Sequence, residues 1–329
     1  MEADLALMRR VFLAGAALLG LSAALPSNAQ TFGGGKPVTI LVPFAPGGGT
    51  DILARELGRL LNDTLKANVV IDNRGGAGGA LAARAVSTAQ PDGTTLLFVT
   101  STFVTTAATR RTLPYDVSKD FTPVAMLGRG PLLVVASHQS GLNSVREIVE
   151  RSKAKPDSLN YVSSGVGGIL HLATELFKQK ANIAMTHVPY NGSGPAVIDL
   201  VAGRAEVFIS TVPTILGQIQ SKNVKLLGVT SDQRSPLFPD TPTLAEEGIQ
   251  GLNLETWWGI VGPPNMPEAL VQQLNAAINE AAAASAMRKR FEEEGATTFR
   301  GTGADFGKAL KIEFDNWRKV VEAGNLFTN

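Results

Sequence analysis

Downstream of residue 36, the apolar positions of the chain switch repeatedly between two spacings. Short apolar runs at 38–42, 69–71, 94–100, 121–127, 132–136, 160–162, 206–209, 225–230 and 257–262 have the length and character of strands. Between them, apolar residues recur every three or four positions, as at 53, 57, 60, 61 and 65, which predicts helices. The spacing places helices over 52–65, 81–88, 145–153, 169–180, 195–202, 268–283, 285–294 and 306–323. Strand and helix alternate, so the expected fold class is α/β, in two lobes with parallel-type connections. Gly128-Arg129-Gly130-Pro131 separates two of the strand runs and reads as a hinge. Residues 236–242, rich in proline, read as a crossing between lobes.

The chemistry of interest sits where strands end. The first strand runs into Phe44-Ala45-Pro46-Gly47-Gly48-Gly49-Thr50-Asp51 and then into a helix. Three glycines permit positive φ and clear side chains from the turn. The first amides of the helix lack intrahelical acceptors, so strand, glycine turn and helix together form an uncharged seat for an anion. It is not a nucleotide P-loop, because Thr50-Asp51 stands where Lys-Ser/Thr is needed, and the Gly-x-Gly-x-x-Gly dinucleotide pattern is also unmet. The arrangement recurs at Ser163-Ser164-Gly165-Val166-Gly167-Gly168, between a short strand and the helix that carries His171. Two such turns, each with the positive end of a helix dipole, could face one another across a cleft and hold carboxylates without arginine or lysine. Ser101-Thr102 and Ser210-Thr211 follow strand ends, where open α/β sheets bind ligands.

Composition narrows the choice of partner. The chain has 329 residues, room for about two domains. A formal charge of +1 provides no basic field for nucleic acid. There is no cysteine, hence no disulfide and no thiolate metal site. Arg9-Arg10, the apolar stretch 11–25 and Pro26-Ser27-Asn28-Ala29 make a leader with cleavage expected after Ala29. A retained anchor is the alternative, although the run is short for a span. The leader suits Sec export, and the twin arginines also suit the Tat route; Met8 offers a second start. Removing 1–29 takes away two acids and two bases and leaves the charge at +1.

Catalytic readings find little support. A nucleophile elbow needs Gly-x-Ser-x-Gly, and Ser164-Gly165 lacks the leading Gly-x. The three histidines, His138, His171 and His187, form no His-Glu-x-x-His zinc motif. No cofactor or metal is expected. His171 can cap or pack the first turn of its helix, touch a ligand or, least in keeping with the pattern, act as a base. Asp51 reads as an acid stabilising a helix start. Trp257-Trp258 read as packing near the crossing.

Several segments together resemble the Bug family, the TctC-type extracytoplasmic receptors of tripartite tricarboxylate transporters. They are residues 43–51, Asp72-Asn73-Arg74-Gly75-Gly76-Ala77-Gly78-Gly79, Asp92-Gly93-Thr94-Thr95-Leu96-Leu97, 163–168 with His171-Leu172 and Glu175-Leu176-Phe177, His187-Val188-Pro189-Tyr190, and Asp199-Leu200-Val201-Ala202-Gly203. The resemblance implies a two-lobed, Venus-flytrap binding protein with a carboxylate ligand in the cleft. It implies a discontinuous first lobe of 36–127 and 229–329, and a second lobe of 128–228. Phe44, Ala45, Gly47, Gly48, Gly49 and Asp51 would line one side of the cleft. Ser163, Gly165, Gly167, Gly168 and His171 would line the other. Ser101, Thr102 and Ser210 would add hydroxyls. Gly75 replaces the family's usual proline and Gly168 a common serine. Ser210 replaces a frequent acid, which disfavours an amino-acid ligand. The implied partners of this monomeric, non-enzymatic, periplasmic protein are a small carboxylated solute and membrane transporter subunits. A solute sensor for a signalling partner and an exported hydrolase are the competing readings.

Overall fold

A computed structural model describes residues 35–47, 49–293 and 295–328. The expected leader, 1–29, and Gly48 lie outside these residues. The chain opens with β1 (Val38–Val42), α1 (Gly49–Leu65), β2 (Val69–Asn73), α2 (Ala80–Ser87), β3 (Thr95–Thr100) and α3 (Ser101–Thr109). β1 pairs in parallel with β2 on one side and β3 on the other. α1 forms because Leu53, Leu57 and Leu61 repeat at helical spacing and are at most 1% exposed. Burial of each contributes roughly 1.5–3 kcal/mol. β3 shows the other period. Leu96 and Phe98 enter one core, Leu97 and Val99 a second core on the opposite face.

α3 was not predicted by the spacing. Its sequence, Ser101-Thr102-Phe103-Val104-Thr105-Thr106-Ala107-Ala108-Thr109, is rich in β-branched residues that disfavour isolated helix. Every residue of it is buried, so tertiary packing overrides propensity. The Thr100 side chain caps it by accepting from the Thr102 amide.

The segment read as a hinge lies inside a strand. β4 (Thr122–Ser137) is one unbroken strand through Gly128-Arg129-Gly130-Pro131. The chain then forms α4 (Val145–Ala154), β5 (Asn160–Ser163), α5 (Ile169–Ala181), β6 (Thr186–Pro189), α6 (Ser193–Val201), β7 (Val207–Thr211), α7 (Val212–Gln220) and β8 (Val224–Val229). After the irregular 236–242 segment come β9 (Glu255–Gly262), α8 (Glu268–Ala283), α9 (Ser285–Glu293), β10 (Thr297–Thr298) and α10 (Gly303–Gly324). From Thr122 to Pro131, β4 bonds to β9; from Leu132 onward it bonds to β7 and β8. The strand order is therefore β2-β1-β3-β9-β4-β7-β5-β6, with β8 and β10 also on β4. The glycines of β4 serve close packing: a Cβ on Gly128 would lie 2.5 Å from the Phe291 ring, and one on Gly130 2.7 Å from the Ala296 Cβ.

The connections are not all parallel. β5 is parallel to β6 and β7, but β9 is antiparallel to β3 and β4, and β4 is antiparallel to all its partners. α10 begins with a capping box, Thr302 with Asp305, and buries Phe306, Leu310, Trp317 and Val321. Beyond α10, the Thr328 amide donates to the Thr109 carbonyl at 2.9 Å, tying the C-terminal segment to α3.

Candidate functional site

Four strand-to-helix turns make up the candidate site: β1 to α1, β3 to α3, β5 to α5 and β7 to α7. In the first, Gly47 takes φ +87°. Its amide donates to Asp51 Oδ2 at 2.9 Å. Asp51, 4% exposed, also accepts from Arg55 Nε at 3.0 Å and from Asn73 Nδ2 at 2.9 Å. Burial pushes its pKa upward, but the bonds from Arg55, Gly47 and Asn73 outweigh that and hold it below the ordinary aspartate value. Asn73 Nδ2 further donates to the Phe44 carbonyl at 3.1 Å. Asp51 thus shapes the turn from beneath. Phe44 is half-buried, and Ala45 and Gly47 are exposed.

In the second turn, Ser101 is fully buried and its hydroxyl lies 2.9 Å from that of Thr256 on β9. Thr102 Oγ1 accepts from the Ile169 amide at 3.4 Å, reaching the start of α5. In the fourth, Ser210 is fully buried and its hydroxyl donates to the Thr211 carbonyl at 3.4 Å. Ser101 and Ser210 therefore support the turns from inside; neither is exposed.

The third turn holds an aromatic column that the sequence reading did not assemble. Gly165 and Gly167 take φ +141° and +82°. The Gly167 amide donates to His171 Nδ1 at 3.2 Å, so His171 ties the glycine turn to the first turn of its helix. The His171 ring stacks on His187 at 4.2 Å, and His187 stacks on Tyr161 at 4.7 Å. Tyr161 and His187 are register partners on β5 and β6, which puts both on one face. His187 Nε2 lies 2.6 Å from Ser163 Oγ, which also accepts from the Gly165 amide at 3.2 Å. The Tyr161 hydroxyl donates to Glu175 Oε1 at 2.5 Å, and Lys178 pairs with the same carboxylate at 2.6 Å. Burial, then His171 and Lys178, lower the His187 pKa to about 3. Burial lowers that of His171 as well, with Glu175 opposing and Lys178 assisting. Both imidazoles are consequently neutral at pH 7, and they orient the turn as dipoles rather than as charges. Among the described residues no acid pairs with the His187 imidazole, and the serine is engaged by the turn itself.

The turns approach residues of the other half of the sheet. A Cβ on Gly49 would lie 2.4 Å from the Pro213 Cβ at the start of α7. A Cβ on Gly167 would lie 2.5 Å from Thr109 Oγ1, and one on Gly168 3.6 Å from Thr102 Cγ2. Each glycine turn thus faces a residue of another strand-to-helix unit. Neither α5 nor α7 has a side-chain N-cap; the Ile169 amide of α5 goes to Thr102 and Pro213 of α7 has none, which leaves the Leu170 and Val212 amides at this end for water or a ligand. Between the first turn, Thr100 and Thr102 lies a crevice of about 10 Å³, the room of a single water. Lysine and arginine are absent from 43–50, 100–102, 163–169 and 210–213. Among the described residues, no group of three or more His, Asp or Glu is placed to hold a metal ion, and no helix is long and apolar enough to cross a membrane.

Known proteins share this architecture. The family described as tripartite tricarboxylate transporter family receptor, TctC, matches residues 53–326. BugT of Bordetella pertussis is 35% identical over 300 residues, covering 91% of this chain and 92% of its own. An R. palustris protein in complex with adipate superposes with TM-score 0.84 at 32% identity, covering 88% of this chain and 97% of the other. MatC from Rhodopseudomonas palustris with bound malate superposes with TM-score 0.81 at 32% identity, covering 87% and 98%. The match spans both halves of the sheet and all but the first of the four turns, and on it the chain belongs to the TctC family, the solute receptors of tripartite tricarboxylate transporters.

Proposed function

We propose that the chain captures a small dicarboxylate between two lobes outside the cytoplasm and presents it to the membrane subunits of its transporter. The observation that carries this reading is the meeting of four strand-to-helix turns that are free of lysine and arginine, two of them opening helices without side-chain caps. Backbone amides, threonine hydroxyls and neutral imidazoles can share out carboxylate charge at both ends of a short diacid. Two relatives solved with adipate and with malate hold ligands of this chemistry.

The lobes are residues 36–127 with 229–329, and 128–228. The exchange of β4 partners just past Gly130 supports that division. Phe44, Ala45, Gly47 and Gly49 supply one wall. Gly165, Gly167, Gly168 and His171 supply the other, with Thr102 between them. Asp51, Ser101, Ser163 and Ser210 hold these walls in shape. Closure is a hinge motion that brings Gly49 to Pro213 and Gly167 to Thr109. Export removes 1–29, through Sec or, given Arg9-Arg10, through the Tat route.

The test is calorimetric titration of residues 30–329 with malate, adipate, citrate and a monocarboxylate control, alongside thermal melting. A diacid at a hundred times its Kd should stabilise the fold by about 2.7 kcal/mol. Loss of uptake of the same diacid on deletion of the gene assigns transport. If no di- or tricarboxylate binds, the reading is wrong.

A further inference from the structure

A cavity of about 420 Å³ lies away from the four turns and shares no lining residue with them. Its walls include Arg129 of β4, Glu255 and Trp257 of β9, Leu176 of α5, and Glu313 and Trp317 of α10. β4 and β9 meet here just before β4 changes partners, while Leu176 comes from the helix that follows the third turn. An occupant would therefore touch elements on both sides of that exchange.

The polar group at the centre is Glu313. Its Oε2 accepts from Trp257 Nε1, and its Oε1 from Trp317 Nε1 at 3.1 Å. Both donors are neutral, and no lysine, arginine or histidine among the described residues comes within 4 Å of this carboxyl. The other charged groups on the cavity, Arg129 and Glu255, pair with each other at 3.5 Å. α5 contributes only Leu176, and the 253–254 segment only Asn253 and Leu254, so the acid on α10 is the one charge left without an opposite. Burial pushes Glu313 up to about 7, against the bonds from the two indoles. A glutamine could accept from only one of the two indoles, so the pair holds a carboxylate, whose negative charge is met by no cation among the described residues. A carboxyl held among aromatic rings beside a cavity of this size is suited to a cation with an apolar body.

We propose that this cavity is a second ligand site, which takes an organic ammonium carrying an apolar or aromatic tail, with its charge against Glu313. Its chemistry is the reverse of the anion-binding turns, and it stands independently of the dicarboxylate reading.

The experiment titrates residues 30–329 with 3-phenylpropylammonium and with its neutral isostere 3-phenylpropanol. Calorimetry and tryptophan fluorescence are the readouts; two of the three tryptophans of the chain border the cavity. The ammonium should bind at least about tenfold more tightly than the alcohol at pH 8.5, as expected for a charge contact of about 1.4 kcal/mol. Its affinity should fall by up to the same roughly tenfold at pH 5.5, where the carboxyl is protonated and the amine still charged. Glu313→Gln should abolish both the preference and the pH dependence. Leu176→Trp, which fills the cavity from the opposite wall, should abolish binding of both compounds and serves if the first variant fails to fold by circular dichroism. Absence of ammonium binding, equal binding of the two compounds by the wild type, a preference that survives Glu313→Gln in a folded variant, or binding that survives Leu176→Trp overturns the proposal. A parallel malate titration reports on the turns alone, so failure of one reading leaves the other measurable.

Discussion

Acid should weaken the third turn by charging a histidine that the fold keeps neutral. His187 sits between His171 and Tyr161 with Ser163 at its Nε2, and its pKa is lowered from 6.5 to about 3. Between those values the unfolded chain binds a proton that the folded chain refuses. The stabilisation is complete above pH 6.5 and is lost as pH falls toward 3. From pH 7.5 to 4.5 this amounts to about 2.7 kcal/mol, or about 2 kcal/mol after allowing for the ring's partial exposure. Glu313 works in the other direction. Its pKa is raised from 4.5 to about 7, so its stabilisation is present below 4.5 and lost as pH rises through 7. The two slopes nearly cancel in the wild type. The informative comparison is therefore wild type against His187→Gln, by urea denaturation at several pH values. Loss of ring stacking gives a constant offset, whereas the lost titration narrows the gap by about 2 kcal/mol between pH 7.5 and 4.5. Parallel stability curves across that window would show that His187 titrates normally and would refute the argument.

Gly167→Ala combines φ +82° with a Cβ 2.5 Å from Thr109 Oγ1, so it should cost about 1–3 kcal/mol of stability in urea denaturation and also weaken diacid binding in titration calorimetry. Gly49→Ala brings a Cβ within 2.4 Å of the Pro213 Cβ and should favour a more open chain, seen as a larger radius of gyration in X-ray scattering. Asp51→Asn removes the charge from the bond to Arg55 and unsettles the Gly47 and Asn73 contacts, which should cost about 1.5–3 kcal/mol of stability in urea at pH 7. Asp51 has a lowered pKa, so its contribution is present above 3.8 and fades as pH falls through the folded value; the cost of Asp51→Asn should fade in the same window.

Where one face alone was apolar, the chain was readable. The expected α8 coincides with the observed Glu268–Ala283, and α1 differs only at its glycine start. Reading failed where burial is all-round. α3 has no polar face to reveal a period, and β4 hides a continuous strand behind two glycines that serve the Phe291 and Ala296 contacts rather than bending. Gly49 and Gly167 were legible as turn residues, but not their opposite numbers Pro213 and Thr109, because local pattern does not encode which strand ends approach. The column of Tyr161, His187 and His171 needed the β5–β6 register. His171 and His187 lie in the family-like segments and Tyr161 in a strand run, and only parallel pairing stacks them.

A recognition surface built largely from main chain has no side chain to delete. Alanine replacement at residues 47–49 adds a Cβ instead of removing a side chain, so it reports crowding, as at Gly49 against Pro213, and not a lost contact. Divergence of ligand preference in such a protein runs through insertions, deletions and φ-restricting replacements, so comparisons that score only side-chain identity would judge receptors for different acids to be alike.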